Sequence, residues 1–445
     1  MILPYKKESV LLFVGDIVVF FVSLVLALLL RNLDFPTFLS IREHMEPFVL
    51  IWILWAVVFF IAGLYEKHTS LLKSKISILI FNAQLINSGL AIAFFYLIPH
   101  FNVTPKITLF IYLLVSFGLL VLWRTRGIAI ISTPVKERAI IIGSGDELKD
   151  LYNEVNHNPR YGFVFVACLD LNCSDTIDFQ KEVLEKVYTE DVTLMVVDLQ
   201  NEKVDPLMKH FYNLMFSKVR FVDLHKVYED IFDRIPLSIV KDNWFIEHIS
   251  IAPKTTYDAI KRVMDLVIAV PLFLVSLPFY LFAYLAIRFD DKGPIFFTQE
   301  RVGKNNKPIH ILKFRSMSEG VNENGEKYVT KIGKFLRASR IDELPQIINV
   351  LKGDISLIGP RPEMPEYVKL YEKEIPYYNV RHLLKPGLSG WAQMHQTLVP
   401  KFKPGVEETR VKISFDFYYI KNRSFFLDIK IALQTIKTLM SRSGI

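Results

Sequence analysis

The sequence predicts a membrane protein in three parts: a four-helix transmembrane bundle, an α/β cytoplasmic module, and an α+β domain anchored by a re-entrant membrane helix. Three observations lead there. The 445 residues are 51% hydrophobic with a mean hydropathy of +0.29, a composition that points to membrane spans. Uncharged runs of spanning length crowd the first third of the chain. The net charge of +7 resolves into unlike regions: +5 over residues 1–136, −9 over 137–249 and +11 over 250–445.

The bundle comes first. Apolar runs at 10–30 (interrupted only by Asp16), 48–65, 76–99 and 107–123 each reach the ~17–25 residues that a helix rising ~1.5 Å per residue needs to cross a bilayer core. The first run has no small-residue cleavage site, so it is read as a span and not a signal peptide. Lys6 and Lys7 precede it, Lys67, Lys73 and Lys75 follow the second run, and Arg124, Arg126, Lys136 and Arg138 follow the fourth. The opposite loops offer Arg31 and Arg42, diluted by Asp34, Glu43 and Glu46, and then Lys106. Basic loops stay inside, so both ends of the bundle are expected in the cytoplasm. Asp16, near the cytoplasmic end of its helix, is read as a group reaching the interface, with a buried functional carboxylate as the alternative.

Residues 137–249 read as a Rossmann-like unit. A strand at 139–142, the turn Gly143-Ser144-Gly145, a helix at 147–156 and a strand at 163–169 ending in Asp170 follow the order of a dinucleotide-binding half. Leu148 occupies the third glycine position. Nucleotide binding and a structural or oligomerising role both stay open. The net −9 argues against nucleic acid as a partner. Cys168 and Cys173 are the only cysteines, which excludes a disulfide scaffold and a multi-cysteine zinc site.

The run at 266–287 is uncharged and long enough to cross, yet it contains Pro271 and Pro278. Each removes a backbone donor and frees a carbonyl four residues earlier, at Val267 and Leu274. Basic residues flank both ends, Lys254, Lys261 and Arg262 before and Arg288 and Lys292 after, whereas a crossing helix is basic on one side. The run is therefore read as re-entrant over 261–288, breaking near Ser276-Leu277-Pro278, with Ser276 capping a freed carbonyl. An ordinary fifth span is the alternative.

The chemistry lies in residues 250–445. Pro308–Phe314 reads as a strand that points Lys313 and Arg315 to one face. An amphipathic helix at 330–339 buries Ile332, Phe335 and Leu336, with Arg337 and Arg340 on a neighbouring face. Ile341-Asp342-Glu343-Leu344-Pro345-Gln346 then opens a helix that runs to Lys352 and stops at Gly353. Pro345 belongs in a first helical turn, which places Asp342 at or just before a helix N-terminus and predicts a low carboxylate pKa. An ionised carboxylate beside a second one, among Lys and Arg, suits attack on phosphorus with a divalent ion screening charge.

Further motifs surround this pair: Thr298-Gln299-Glu300-Arg301-Val302-Gly303, Lys313-Phe314-Arg315-Ser316-Met317, Asn349-Val350-Leu351-Lys352-Gly353-Asp354, Gly359-Pro360-Arg361-Pro362 and Pro386-Gly387-Leu388-Ser389-Gly390-Trp391-Ala392-Gln393. Together they resemble the bacterial sugar transferase family, the monotopic polyprenyl-phosphate phosphoglycosyl transferases, over about 190 residues from Lys261-Arg262-Val263-Met264-Asp265 onward. The bundle and module before them resemble the long-form members that begin capsule, exopolysaccharide or O-antigen repeat units. Two departures stand out: Leu277 separates Ser276 from Pro278 where the family has Ser-Pro, and Met394-His395-Gln396-Thr397 replaces the family's Asn/Ser-Gly-Arg.

The resemblance implies a two-step transfer at the cytoplasmic face of the bacterial inner membrane. Asp342 attacks the β-phosphate of a UDP-sugar, releasing UMP, and polyprenyl (undecaprenyl) phosphate then takes the sugar phosphate from Asp342. Glu343 is implied as its partner, helping to hold Mg2+ or accept a proton. Lys313, Arg315, Arg337 and Arg361 are the candidates for neutralising phosphate. Phe415, Phe417, Tyr418, Tyr419, Phe425 and Phe426, interleaved with Lys421, Arg423 and Lys430, read as interfacial aromatics, with a buried aromatic core as the competing account for some of the six. Homodimerisation through 1–249 is a further expectation. Two rival readings are a membrane-bound nucleotide-sugar dehydratase or epimerase, on the Tyr-x-x-x-Lys spacing of Tyr257 and Lys261, and a non-catalytic assembly scaffold.

Overall fold

A computed structural model describes residues 4–65, 73–97, 106–124, 136–158, 161–172, 183–216, 219–237, 242–249, 255–290, 293–321, 327–395 and 405–441. Lys67, Arg126, Cys173, Lys254, Lys292 and the Gln396-Thr397 pair lie outside the described residues. The chain divides into two compact units, Met1–Ile231 and Phe232–Ile445.

The first unit begins with four apolar helices, α1 (Pro4–Asn32), α2 (Phe38–Ile61), α3 (Lys73–Leu97) and α4 (Lys106–Leu122). Two of them, over Val10–Asn32 and Phe38–Ile61, are long and apolar enough to cross a bilayer by themselves; the apolar parts Ile80–Phe95 and Ile107–Leu122 are shorter. Helix α2 starts ahead of the apolar run because Thr37 caps it, accepting from the Ser40 amide at 3.4 Å, and Pro47 does not end it. Phe20, Phe48, Trp55, Phe59 and Tyr112 form the packed centre. Indole donors are satisfied inside it: Trp52 Nε1 donates to the Tyr112 hydroxyl at 2.8 Å and Trp55 Nε1 to the Asn87 carbonyl at 3.1 Å.

Asp16 does not reach the interface. It is 0% exposed, accepting from Arg124 Nε at 3.0 Å, from Arg124 Nη2 and from the Tyr65 hydroxyl at 2.8 Å. Arg124 Nη1 also donates to the Leu64 carbonyl at 2.8 Å. Gly15 makes this closure possible, since a Cβ there would lie 2.0 Å from the Trp123 ring.

Next come β1 (Glu137–Gly143), α5 (Asp146–His157), β2 (Phe163–Asp170), α6 (Glu185–Thr189), β3 (Val192–Val197), α7 (Met208–Met215), β4 (Arg220–Asp223) and α8 (Leu224–Phe232). The strands form one parallel sheet in the order β2-β1-β3-β4, the topology of a doubly wound fold. Gly145 supplies the positive φ of +91° at the β1–α5 turn. Leu148 is fully buried, Asp146 and Glu147 sit in the first turn of α5, and the Asp170 carboxylate accepts from the Asn172 amide at 2.9 Å. Two carboxylates at a helix start oppose the anion that a dinucleotide fingerprint would seat there.

The unit boundary precedes residue 232, not residue 250. Residues 232–249 belong to the second unit because Ile235, Trp244 and Ile249 pack with Tyr371, Tyr378 and Phe417. The Ile235 amide donates to the Ser414 carbonyl at 3.0 Å, and Asp233 accepts from Trp391 Nε1 at 2.9 Å and from the Tyr418 hydroxyl at 3.1 Å.

After α9 (Asp242–His248) the second unit is organised by α10 (Thr255–Asp290), 36 residues containing Pro271 and Pro278. One side leaves Val267, Leu274, Val275 and Leu281 exposed. The other is polar where it meets the domain. Arg262 donates to the Val350 and Leu351 carbonyls, both at 2.7 Å. Asp265 accepts from Ser356 Oγ and the Leu357 amide, both at 3.0 Å. Ser276 Oγ donates to the Phe273 carbonyl at 2.7 Å, not to Val267 or Leu274 as expected, because a helical serine reaches the carbonyl three or four residues back.

The aromatic run near the C-terminus divides. Beyond α13 (Pro365–Glu374) and α14 (Trp391–His395), Phe415, Phe417 and Tyr419 of α15 (Val406–Asn422) are buried in the core and Tyr418 is partly buried; in α16 (Phe425–Ser441), Phe425 and Phe426 are exposed. The interfacial reading therefore fails for the first group.

Removing one member of a buried ion pair costs about 3–5 kcal/mol because the other charge is left uncompensated. Arg124→Leu alone should lower the thermal unfolding midpoint of the purified protein more than the double change Asp16→Leu with Arg124→Leu. A double variant no more stable than the single one would contradict this account.

Candidate active site

The site is assembled on short elements. An antiparallel hairpin, β5 (Phe296–Val302) and β6 (Pro308–Phe314), pairs Lys313 with Phe297. A second hairpin, β7 (Met317–Val321) and β8 (Lys327–Val329), leads to α11 (Lys331–Ala338). Thr330 Oγ1 caps α11, accepting from the Gly333 amide at 2.9 Å. A Cβ on Gly333 would lie 1.9 Å from the Ser316 carbonyl, so glycine sets how closely α11 approaches. The helix ends by Ser339, and Arg340, at φ +55°, turns the chain left-handed into a 3-10 turn at Ile341–Glu343. Leu344 and Pro345 then lead into α12 (Gln346–Lys352), stopped by Gly353 at φ +92°.

Two expectations change here. Arg340 turns left-handed and so does not continue the face of Arg337, and Phe335 is 52% exposed while Leu336 is buried. Asp342 sits in the 3-10 turn, separated from α12 by Leu344 and Pro345, so the helix-terminus argument for a low pKa does not apply. Burial, then the charge of Glu343, raises the Asp342 carboxyl above its ordinary value; Lys313 and Arg337 oppose this without cancelling it.

Glu343 behaves oppositely. Its Oε1 accepts from Arg361 Nη2 at 2.9 Å and from Lys313 Nζ at 3.3 Å. Burial works to raise its pKa, but Arg361 and then Lys313 outweigh it and bring it down to about 2. Lys313 is itself lowered by burial, which the Glu343 charge only partly offsets. Among the described residues no side chain hydrogen-bonds or ion-pairs with the Asp342 carboxylate. One carboxylate is thus locked by cations, and its neighbour is unlocked and energetically disfavoured as an anion.

Of the four expected cations, Lys313 and Arg361 meet at Glu343. Arg337 is exposed, donates through Nε to Ser316 Oγ at 2.9 Å, and bears on Asp342 by charge. Arg315 pairs with Glu319 at 3.4 Å. The strand ends at Phe314, and the Arg315 amide turns to the Ile295 carbonyl at 2.8 Å, so the alternation of the pleat does not extend to Arg315.

The expected residues leave out the groups that hold Arg361. Its loop is strapped between β9 (Ser356–Ile358) and β10 (Gly387–Ser389): the Gly359 amide donates to the Ser389 carbonyl at 2.8 Å and the Gly387 amide to the Pro360 carbonyl at 2.9 Å. A Cβ on Gly387 would lie 2.1 Å from the Gly359 nitrogen. From behind, Arg381 Nη2 donates to the Arg361 carbonyl at 2.8 Å and Arg301 Nη1 to the Pro362 carbonyl at 3.3 Å. Arg381 is in turn fixed by Asp416 at 2.9 Å and by the Tyr378 hydroxyl at 2.9 Å. Glu363 pairs with Lys412. No local spacing announces these partners; the tight glycine and proline composition of 359–362 and 386–390 is the one signal present.

The donor set fits magnesium in a limited way. No group of three or more His, Cys, Asp or Glu side chains capable of holding a metal occurs among the described residues. Asp342 and the Oε2 side of Glu343 supply carboxylate oxygen, since the cations engage Oε1. Magnesium commonly binds through one or two carboxylates with the rest of its shell from phosphate and water.

Residues 256–442 match the family model described as bacterial sugar transferase. The chain is 45% identical over 205 residues to UDP-N-acetylgalactosamine-undecaprenyl-phosphate N-acetylgalactosaminephosphotransferase of Aeromonas hydrophila, covering 44% of this chain and 47% of the relative. It is 40% identical over 199 residues to UDP-glucose:undecaprenyl-phosphate glucose-1-phosphate transferase of Caulobacter vibrioides, covering 42% of this chain and 73% of the relative. The chain belongs to the bacterial sugar transferase family. A longer match, 29% identical over 349 residues, joins it to undecaprenyl-phosphate glucose phosphotransferase of Komagataeibacter xylinus and covers 71% of this chain and 62% of that one. The chain spans about half the length of the Aeromonas relative.

Within this family domain the Tyr257 and Lys261 pair serves packing. Both bind Asp428, at 2.8 and 2.9 Å, and Tyr419 completes the cluster at 2.7 Å. That occupation removes the geometric basis of the dehydratase reading.

The two carboxylates should affect stability with opposite sign. Glu343, lowered from 4.5 to about 2, contributes stability that is present above 4.5 and lost as pH falls through about 2. Glu343→Gln should lower the unfolding midpoint at pH 7 and flatten its dependence on pH below 4.5. Asp342, raised above 3.8, weakens the fold once ionised, so Asp342→Asn should raise the midpoint at pH 7. Thermal unfolding across a pH series checks both signs.

Proposed function

We propose that the protein transfers a sugar 1-phosphate from a UDP-sugar to undecaprenyl phosphate through a covalent intermediate on Asp342. The observation that carries the reading is the asymmetry of the carboxylate pair: Glu343 is locked by Arg361 and Lys313, while Asp342 lies beside them without a locking partner among the described residues. A nucleophile needs an oxygen that is not engaged, next to cations that accept the charge developing on phosphate. The names of the Aeromonas and Caulobacter relatives support the donor and acceptor classes.

In the first step an Asp342 oxygen attacks the β-phosphorus, and the bond from that phosphorus to the bridging oxygen breaks. UMP leaves with the bonding electrons and the sugar phosphate remains on Asp342. In the second step a phosphate oxygen of undecaprenyl phosphate attacks the same phosphorus and Asp342 departs, giving the undecaprenyl diphosphate sugar. Arg361, held from behind, and Arg337, close to Asp342 by charge, neutralise phosphoryl oxygens. Asp342 and Glu343 would hold magnesium, which would supply positive charge to offset the repulsion between the carboxylates and the diphosphate.

The membrane arrangement belongs to this reading. The four apolar helices cross the bacterial inner membrane with the second unit on the cytoplasmic face, and α10 enters from that face and returns. Arg262 in its first half donates to the Val350 carbonyl and Tyr280 in its second half to the Leu344 carbonyl. Both halves of α10 thus rest against one small region. The acceptor's phosphate stays at the interface, where the +11 of residues 250–445 attracts anionic head groups.

Asp342→Asn should abolish UMP release from UDP-sugars with undecaprenyl phosphate and prevent retention of radiolabelled sugar phosphate on the protein; sustained turnover in that variant would defeat the mechanism. Since Asp342 attacks as the anion and its pKa is raised, the acidic limb of the initial rate of UMP release, measured across a pH series, should lie above 3.8. A tag after residue 445 should be digested by protease in inverted membrane vesicles and protected in intact cells. The reverse pattern would make α10 an ordinary span.

A further inference from the structure

Gln346 is 6% exposed, and its Nε2 is buried with no hydrogen-bond partner among the described residues. An unmet buried donor costs about 1–3 kcal/mol, so a group that is itself unsatisfied calls for an explanation in terms of what binds beside it. Its position supplies one. Bonds three residues back run from Leu344 to Ile341, from Ile347 to Leu344 and from Ile348 to Pro345, and residues three apart lie on one side of such a path. Gln346 therefore shares an edge with Glu343. Asn349, three residues further, sends its side chain to the His310 carbonyl at 2.7 Å and accepts from the Leu312 amide at 3.0 Å. The edge thus faces the strand that carries Lys313, and Glu343 on the same edge meets Lys313 and Arg361.

We propose that Gln346 donates its Nε2–H to an oxygen of the diphosphate bound beside Asp342, as a substrate-binding residue that remains unpaired until a phosphate arrives. The inference rests on the proposed phosphoryl-transfer reading for its ligand, a nucleoside diphosphate. A neutral amide suits that place, because it supplies a donor without adding to the Lys313, Arg337 and Arg361 charges already present.

The test uses the full-length protein in lipid nanodiscs, with UDP and magnesium as the probe, and reads binding without turnover. Gln346→Met keeps the length of the side chain and removes the donor. Replacing an unpaired buried donor with an apolar group of similar shape is neutral or stabilising, so this variant should unfold at the wild-type temperature or higher while its affinity for UDP falls by roughly fivefold to tenfold. Gln346→Glu, which turns a charge toward the phosphates, should weaken binding further. Wild-type affinity in Gln346→Met overturns the inference. Weaker binding accompanied by a lower unfolding temperature also overturns it, since that marks a structural role. Covalent capture on Asp342 is scored separately: capture in the wild type with unchanged UDP affinity in Gln346→Met sinks this inference alone, and absence of capture with a loss of affinity in the variant sinks only the intermediate.

Discussion

The ion pair between Glu343 and Arg361 is the constraint on which the rest of the second unit depends. At 2.9 Å, with Lys313 on the same oxygen at 3.3 Å, it places charge in a partly dry setting, where desolvation offsets much of the attraction unless geometry is held closely. The surrounding structure provides that hold. Two glycines let β9 and β10 close on each other, and Arg381 and Arg301 grip the Arg361–Pro362 carbonyls from behind. Arg381 is itself clamped by Asp416. The visible pair is thus the front of a charged network that extends into the core.

The same network explains why adjacent carboxylates differ. Cations committed to Glu343 cannot also be fully committed to Asp342, and a neighbouring anion raises the cost of a second. Helix α10 adds a further restraint through Arg262, Asp265 and Tyr280, which bind α12, β9 and the Leu344 carbonyl. A helix with one lipid-like face is therefore bonded by its other face to the turn that carries Asp342.

Much of this was legible in the sequence where the signal is local. Proline after Asp342-Glu343, glycine after Lys352, and the strand 308–314 each declare themselves within a few residues, and the structure places an α-helix at Gln346–Lys352 and a strand at Pro308–Phe314. The strand-turn-helix order after residue 136 likewise announces a parallel sheet. Contacts across long separations were not legible. Asp16 and Arg124 meet across 108 residues, and Arg381 and Asp416 across 35; nothing in the local composition says that either charge is buried. Aromatic side chains at 415–419 read as interfacial because interface and core both favour them, and only packing against Trp391 and Tyr378 distinguishes the two. Arg315 misled for a different reason: an alternation rule holds only as far as the strand does.

Local strain and unmet polarity are also found where the chemistry is proposed. Arg340 adopts a left-handed conformation, Asp342 bears a raised pKa, and Gln346 keeps a buried donor unpaired, all within seven residues of chain. A left-handed non-glycine residue alone costs of order 1 kcal/mol. Had stability governed this segment, apolar or smaller residues would serve better at each position. The compensation is placed nearby in well-satisfied groups: the Thr330 cap, Asn349 bridging α12 to β6, and Asp265 on β9. Such a partition leaves a short turn poorly matched to itself and well matched to an anion, with the fold around it rigid enough to keep it so.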